Sequence, residues 1–445
     1  MKSKIILILF LATGLLCHGY TMTLENCIRQ GIANNLSLIN ARIDISKGHT
    51  GVSQNRARLL PVINGVFQFT DYLKRPVNVT SGTLLGSDFP DDPTWQTIRS
   101  MQYNVSAGVQ LSLPLYNQGI YAAVDVAKAI ERISLLSYDK AVEDLTMQIG
   151  NVYFLAQISL EQATLTGENI SRMQELCMIT EAMYEQGTVL EVDLNRARIN
   201  LQNLTSQQNQ FAMMYDRQLN MLRFLLDLPP EEPIDVERMP QNINPTNLSG
   251  INYFLPEIRM AAMQKELSER KTAAIKSGYL PSVTLTGYAG GLGYQEKFNH
   301  FFHGKVSSQN WFGNCFIGVN ITIPIFDANS KRLQIRQHRY DTEQAENRVK
   351  LLRERIRTDY DNALLQLNHN IEVYHTQSQS YQQACDVYQV TAEQYREGVS
   401  SMTAILQDEM QLRTAQSAMT QAHFNFNLAY LELLRLSGNL SSLTE

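Results

Sequence analysis

The feature that most constrains this chain is a strand-length run of alternating residues that leads directly into a very long helical pattern. From Asn314 to Phe326, apolar side chains occupy every second position and mostly Asn, Gly and Thr lie between them, which is typical of a strand with one apolar face. Pro324 ends the alternation, and an unbroken helical pattern follows from about Ser330 to Tyr395. A helix of roughly 65 residues would be about 100 Å long, far more than a compact domain needs.

The same order of elements occurs twice, which predicts a duplicated chain. Each half reads as a short helix, a strand, a loop, a second strand, a long helix, a tight break and a returning helix. The breaks at Gly187 and Gly398 lie 211 residues apart. We predict a first repeat at residues 20–226 and a second at 257–445, joined by a proline-rich linker at 227–256.

Four strands are predicted, near residues 61–73, 101–115, 281–293 and 311–326, and the polar, proline-containing residues from 74 to 100 are predicted to be a loop. Strands of this length match the ~9–11 residues that cross a membrane when tilted. Every backbone group in lipid must be paired, so such a sheet has to close on itself, and four strands enclose no lumen. We therefore expect the chain to oligomerise.

One face of each predicted strand is apolar, and the other carries mostly Gln, Asn, Ser and Thr. This alternation is typical of outer-membrane strands around a wet lumen, although a soluble sandwich with one solvated face would show it too. The side chains predicted to face lipid are Phe67, Phe69, Val105, Leu111, Val283, Leu285, Val319 and Ile321.

Residues 1–19 have the pattern of a secretory signal peptide. Two lysines among the first four residues precede an apolar run that extends to Leu16, and Cys17 and Gly19 supply the small residues of a cleavage site. A lipidated Cys17 is the alternative, but Leu16 is larger than the residue that normally precedes a lipidated cysteine. The mature chain is expected to be exported.

Composition and motifs argue against several other classes of protein. The net charge is −5 and no basic run occurs, which argues against nucleic-acid binding. His300 and His303 form a lone HxxH without a carboxylate or cysteine, a weak metal signal. We find no nucleophile elbow, phosphate loop or acid–base pair, and expect no enzyme activity, metal or cofactor. Four cysteines without metal spacing are predicted to be small buried side chains: Cys27, Cys177, Cys315 and Cys385.

The long helices carry the stripe of a coiled coil. In the second repeat the stripe steps by three and four residues through Val349, Leu352, Ile356, Tyr360, Ala363, Leu367, Ile371, Tyr374, Ser378, Tyr381, Cys385, Tyr388, Ala392 and Tyr395. The opposite faces are rich in Gln, Asn, Ser and Thr rather than in charged residues. Such a face suits either an ordinary coil surface or the lining of a water-filled duct.

Residues 186–198, with the sequence QGTVLEVDLNRAR, resemble the first helical-hairpin tip of the TolC family of outer-membrane efflux channels. The Leu-Pro strand starts at residues 60–61 and 280–281, and Pro-Leu-Tyr-Asn-Gln-Gly at 114–119, extend the resemblance over essentially the whole mature chain. The resemblance implies an α+β, mainly α fold. It implies a homotrimer with a twelve-stranded transmembrane β-barrel, four strands from each protomer, above a long periplasmic α-helical coiled-coil barrel. The proline-rich linker would lie in an equatorial belt.

The resemblance also implies a function and partners. The trimer would be a passive exit duct of a tripartite efflux system, of the RND type or similar, or of a type I secretion system. It would pass drugs, toxic small molecules or secreted protein across the periplasm and outer membrane. Implied partners are outer-membrane lipid, an inner-membrane transporter and a periplasmic adaptor that docks at Gly187, Thr188, Val189, Gly398, Val399 and Ser400. The competing hypothesis is a periplasmic coiled-coil scaffold or adaptor with a soluble β-domain.

The family's entrance gate is only partly matched. Asp193 stands at the position that helps hold the entrance closed, and Tyr395 matches the aromatic residue to which it would hydrogen-bond. Asp408 is acidic but displaced around its helix. The resemblance assigns the periplasmic entrance to these three residues. By contrast, the lock arginine and the paired aspartates of the family are replaced by Ser400, Ala404 and Gln407.

Overall fold

A computed structural model describes residues 20–81, 95–240, 250–298 and 311–443. The predicted signal peptide and the HxxH histidines lie outside the described residues. The chain forms two compact units, and each draws on both halves of the sequence. The hairpin unit takes in residues up to Ile45 with Ser134–Ala262 and Asn347–Glu445, and the sheet unit takes in Ser46–Ile133 and Met263–Glu346. The two sequence repeats are therefore not the two compact units.

The sheet unit contains one antiparallel sheet of four strands, which are β2 at Val62–Asp71, β5 at Tyr103–Asn117, β7 at Ser282–Gln295 and β8 at Trp311–Thr322. They pair in the order β2–β5–β7–β8. The central pair, β5 with β7, joins the two sequence repeats. β5 continues beyond Pro114 to Asn117 through an irregularity in its pairing with β7.

The loop prediction for residues 74 to 100 is wrong in part. A two-stranded antiparallel ribbon forms there, β3 at Val77–Ser81 with β4 at Trp95–Arg99. Each strand is only five residues long. Because a ribbon this short needs no continuous apolar face, its strands show no clear alternation of apolar and polar residues. The neighbouring polar residues and prolines therefore made the segment read as a loop.

The predicted linker contains a strand as well. β6 at Ile234–Val236 pairs in parallel with β1 at Tyr20–Met22, and the Tyr153 hydroxyl donates to the Met22 carbonyl over 3.0 Å. Ile234 and Val236 are buried in the hydrophobic core together with Met22. This part of the segment is thus anchored in the core, which sequence reasoning missed because three residues carry almost no periodicity.

Seven helices make up most of the described chain. They are α1 at Leu24–Asn34, α2 at Leu36–Ala57, α3 at Gln118–Glu185, α4 at Glu191–Leu226, α5 at Pro256–Ser277, α6 at Ser330–Arg396 and α7 at Met402–Ser437. The bounds of α4 and α7 are related by the same 211-residue offset as the breaks. The next residues, Asp227 and Gly438, both take positive φ and end these helices in the same way. No described helix is long and apolar enough to cross a membrane.

The cysteines do not all behave as predicted. Cys27 is buried in the core around α1, α3 and α4, and burial raises the pKa of its thiol to about 12. Cys177 and Cys385 are half-buried. Cys315 is exposed, because it lies on an outer strand of the sheet where no other described strand covers it.

Glu143 of α3 supplies a test of pH-dependent stability. Burial raises the pKa of its carboxyl group from 4.5 to about 7, against the lowering effect of Arg435. Because the pKa of this group is raised in the folded state, its contribution to stability is fully present below pH 4.5 and is lost as the pH rises through about 7. Partial exposure limits this loss to about 1 kcal/mol. We expect Glu143→Gln to abolish this loss. In chemical unfolding, the free energy of unfolding of the variant should therefore rise relative to that of the wild type between pH 4.5 and pH 8. Glu185→Gln, at the exposed end of α3, is the control, and parallel pH profiles for all three proteins would contradict the prediction.

Candidate functional site at the two hairpin tips

Helices α3 and α4 form a first hairpin and α6 and α7 a second, and both tips have the same backbone geometry. Gly187 and Gly398 take φ of +73° and +76°. In the first tip the Gly187 amide donates to the Tyr184 carbonyl and the Thr188 amide to the Met183 carbonyl, each over 2.9 Å. This is the Schellman pattern, and the second tip repeats it. A Cβ at either glycine would meet nothing within 4 Å, so glycine is favoured there by backbone conformation and not by lack of space.

The returning helices begin differently. Ser401 caps α7, with its hydroxyl oxygen accepting from the Ala404 amide over 3.3 Å. Leu190 precedes α4 without a side-chain cap. Glu191 and Asp193 instead place negative charge in the first turn of α4, where the helix dipole favours it.

A hydrophobic cluster lies behind the two tips and joins the hairpins. Its buried members are Met173, Leu176, Ala197, Leu204, Tyr395, Met402 and Ile405. Tyr395 is 2% exposed, whereas Tyr184, its counterpart 211 residues earlier, is 42% exposed. Two tyrosines at equivalent places in the duplicated sequence therefore have opposite environments.

The Tyr395 hydroxyl is hydrogen-bonded to the Thr180 hydroxyl. Its oxygen lies 3.0 Å from Thr180 Oγ1, and the Thr180 hydroxyl itself donates to the Leu176 carbonyl over 2.8 Å. Because a threonine hydroxyl has one proton to donate, Tyr395 is the donor in this pair. Burial raises the pKa of Tyr395, and the nearby Asp193 charge raises it further. This bond links the first hairpin to the second.

The expected hydrogen bond between Asp193 and Tyr395 is not formed. Asp193 accepts from Arg196, three residues along the same helix, over 2.9 Å. Residues three apart on a helix are neighbours, so this local partner competes with Tyr395 for the carboxylate. Asp193 acts on Tyr395 through its charge instead.

Asp408 lies within the second hairpin. Its carboxylate accepts from the Thr391 hydroxyl over 2.7 Å, which joins α7 to α6. Ser400 and Ala404 are half-buried and Gln407 is exposed, and none of the three carries a charge. None of the three can therefore supply the charged lock that the resemblance implies.

The tips present apolar side chains to solvent. Of the six predicted docking residues, Gly187, Thr188, Gly398 and Val399 are exposed and Val189 and Ser400 are half-buried. Leu190 in the first tip and Val399 in the second are 71% and 73% exposed. Sequence analysis missed Leu190 and Val192, although apolar residues beside a glycine break and outside the buried stripe were a usable signal.

All eight side chains predicted to face lipid lie on one face of the sheet. The register pairs Phe69 with Val105 and Leu285 with Val319, and paired residues of neighbouring strands share a face. Val319 is 58% exposed. On the same face, Phe69 stacks on Tyr103 at 6.0 Å between ring centroids.

The opposite face is less polar than predicted. Asn, Gln, Ser and Thr alternate along it, but it also carries two aromatic pairs, Tyr288 with Phe316 and Tyr294 with Phe312, each with centroids 6.1 Å apart. The predicted polar lining is thus interrupted by aromatic side chains. Among the described residues no group of three His, Cys, Asp or Glu side chains could hold a metal ion.

The sequence matches the family described as outer membrane efflux protein over residues 27–227 and 255–439. The chain belongs to this family. The family is a channel family and not a family of enzymes, and this member is a TolC-type efflux protein of the outer membrane. The predicted resemblance to the TolC family and the predicted α+β, mainly α fold are confirmed.

Relatives and solved structures agree on this family and fold. The probable efflux pump outer membrane protein TtgC of Pseudomonas putida is 22% identical over 410 residues, 89% of this chain and 78% of TtgC. TolC of Vibrio cholerae is 20% identical over 454 aligned positions, 99% of this chain and 96% of that protein. The CmeC outer membrane channel of Campylobacter jejuni has a TM-score of 0.74 at 18% identity, over 94% of this chain and 85% of CmeC.

Proposed function

We propose that three copies of this chain form the outer-membrane duct of a tripartite efflux or type I secretion system. The observation that carries the proposal is the four-stranded sheet. One of its faces is apolar and, apart from the buried Val105, exposed or half-buried at the predicted lipid-facing side chains, and within the described residues its outer strands β2 and β8 are each paired on one side only. In lipid those edges must pair, so neighbouring copies would close the sheet into a twelve-stranded barrel.

The hairpin unit would then form the periplasmic part of the duct. Tyr395, Asp193 and Asp408 would lie at its entrance, and the exposed apolar tips would meet a periplasmic adaptor that connects the duct to an inner-membrane transporter. Relatives are named as toluene and solvent efflux pump outer membrane proteins. Small apolar solutes are therefore the first cargo to test. The duct performs no chemistry, and the inner-membrane partner supplies the energy.

The mass of the protein extracted from the outer-membrane fraction in mild detergent tests the assembly. Light scattering with correction for bound detergent is expected to give three chains. A soluble periplasmic monomer or dimer would reject the duct in favour of a coiled-coil scaffold with a soluble β-domain.

Removing the Asp193 carboxylate is expected to loosen the closed entrance. Asp193→Ala removes the charge from the first turn of α4 and the ion pair with Arg196. For a partly exposed pair this changes open probability about two- to fivefold. Single-channel recordings in planar bilayers measure the open probability, and the basal conductance of the membrane rises with it. Asp386→Ala, an exposed carboxylate of α6, is the control, and equal basal conductance in both variants would remove Asp193 from the gate.

A further inference from the structure

The core between the two hairpins becomes polar next to the hydrophobic cluster of the tips, on the side away from the glycines. Asn169, Glu409 and Gln416 are 5%, 2% and 3% exposed. We use the name polar layer for these residues together with Arg172, Tyr388 and Arg413. The stripe of a coiled coil is normally apolar, so six polar side chains in one stretch need a physical reason.

The polar layer connects α3 of the first hairpin to α6 and α7 of the second. Asn169 Nδ2 donates to Gln416 Oε1 over 3.0 Å. Arg172 donates to Asn169 Oδ1, and its guanidinium lies over the Tyr388 ring, 5.9 Å from the centroid. The contacts of Asn169 with Gln416 and of Arg172 with Tyr388 cross from one hairpin to the other.

Glu409 is the only carboxylate in this layer, and it has two cationic neighbours. Arg413 Nε lies 2.9 Å from Glu409 Oε1, and the Arg172 charge also acts on this carboxylate. Burial nevertheless raises the pKa of Glu409, and the two arginines lower it less than burial raises it. Keeping the Glu409 carboxylate ionised in the core therefore costs free energy.

The polar layer is also poorly satisfied. Among the described residues, six buried side-chain polar atoms have no hydrogen-bond partner, and three of them are Arg172 Nε, Glu409 Oε1 and Arg413 Nε. The Arg413 N–H is thus close to the carboxylate but not aligned with it. Buried ionic groups with incomplete hydrogen bonding are commonly no more stabilising than apolar side chains of the same volume. Stability does not explain this layer.

The duplication supplies another reason. The returning helices α4 and α7 have the same length, but only α7 carries a buried charge at the positions in question, because the counterparts of its residues in α4 are exposed. At the 211-residue offset, Glu409 corresponds to Arg198, Arg413 to Gln202 and Arg172 to Gln383. Two first hairpins packed in the same way would bring Arg172 towards Arg198, which is exposed here and pairs with Glu181 of its own hairpin, in place of Glu409. Two second hairpins would leave Glu409 without Arg172.

We propose that the polar layer is a pairing-specificity element that makes a first hairpin pack against a second hairpin, in one register, and not against a hairpin like itself. A buried polar group that sets partner and register at the expense of stability is well attested in coiled coils. The like-with-like arrangement is disfavoured by repulsion or by an unmatched buried charge, which is how natural interfaces exclude wrong partners. The inference concerns only how hairpins pair, and it stands apart from the proposed duct.

Thiol cross-linking of the full-length protein in mild detergent tests the proposal. Glu175 and Arg396 form an exposed ion pair between the two hairpins. Cysteines at both positions, in a background with Cys177→Ala, Cys315→Ala and Cys385→Ala, report correct pairing as a cross-link within one chain when a short bismaleimide is added, since Cys27 is buried. Glu175→Cys alone reports like-with-like pairing as a covalent dimer on a denaturing gel.

Three sets of substitutions are compared. The apolar variant Arg172→Met/Glu409→Leu/Arg413→Met removes the charges of the layer. The matched control Gln383→Met/Gln202→Met makes apolar substitutions at uncharged equivalent positions of the duplicated sequence and leaves Arg198 in place. The inverted variant Arg172→Glu/Glu181→Arg/Arg198→Glu/Glu409→Arg/Arg413→Glu reverses every charge, so that both the attraction between unlike hairpins and the repulsion between positions 172 and 198 are kept with opposite signs.

The apolar variant is expected to keep its melting temperature within about 2 °C or to raise it. Its yield of like-with-like dimers should rise about tenfold as charge discrimination is lost. The control and the inverted variant are expected to cross-link like the wild type. Unchanged cross-linking in the apolar variant would overturn the proposal. So would a clear fall in its melting temperature with pairing intact, because the layer would then be stabilising. If the apolar variant does not fold, like-with-like dimers in the inverted variant would overturn it too.

Discussion

Replacing Tyr395 with alanine is expected to destabilise the hairpin tips by about 3–5 kcal/mol, the usual cost of truncating a buried aromatic side chain. The ring is 2% exposed at the centre of the cluster that joins the two hairpins. Its removal leaves a cavity and breaks the hydrogen bond to Thr180. Hydrogen exchange followed by mass spectrometry should show faster exchange in the last turns of α3 and α6. Basal conductance should rise, since these contacts hold the entrance closed in the proposed duct.

Tyr184→Ala is the matched control, because the duplicated sequence places Tyr184 at the equivalent position of the first tip. Its side chain is 42% exposed, so the substitution should change stability by less than about 0.5 kcal/mol. Tyr395→Phe separates the two contributions. It retains the ring and should lose only about 1 kcal/mol for the missing hydroxyl. Equal exchange rates in Tyr395→Ala and Tyr184→Ala would contradict the assignment of Tyr395 to the tip core.

Placing an arginine at Val319 should reduce assembly in the outer membrane more than any other substitution considered. Val319 is on the apolar face of β8, 58% exposed and paired with Leu285. A cation at the middle of a lipid-facing strand costs about 2–4 kcal/mol. Since each trimer would carry three copies, the yield of heat-resistant trimer in outer-membrane fractions should fall sharply. Semi-native gel electrophoresis measures this yield.

Asn320→Arg is the control on the neighbouring position. Asn320 pairs in register with Thr284 and lies on the opposite face of the sheet, which would line water in the proposed duct. This variant should assemble at near wild-type yield and change only ion selectivity. Normal assembly of Val319→Arg, or equal defects in both variants, would show that the apolar face does not meet lipid.

Much of the local structure followed from the sequence because it depends on near neighbours in the chain. Alternation identified the strands of the main sheet and put the eight predicted side chains on one face. Gly187 and Gly398 marked both tips, since the backbone there takes a positive φ that favours glycine. The recurrence of the glycine breaks and of the order of elements at a 211-residue offset indicated the duplication. Each of these signals is set by the backbone and the period of the chain itself.

Partners across space could not be read in the same way. Similar tip sequences leave Tyr184 exposed and bury Tyr395, because burial depends on which helices pack against each tyrosine. Asp193 takes Arg196 as its partner, and Tyr395 takes Thr180, which lies 215 residues away in the chain. The pairing of β1 with β6 and the burial of Glu409 carried no local signal either. The sequence by itself determined the long helices, the four strands of the main sheet, the faces of these strands and the repeat. The tertiary structure alone decided which side chains meet, because those contacts are chosen by the packing of segments far apart in the chain.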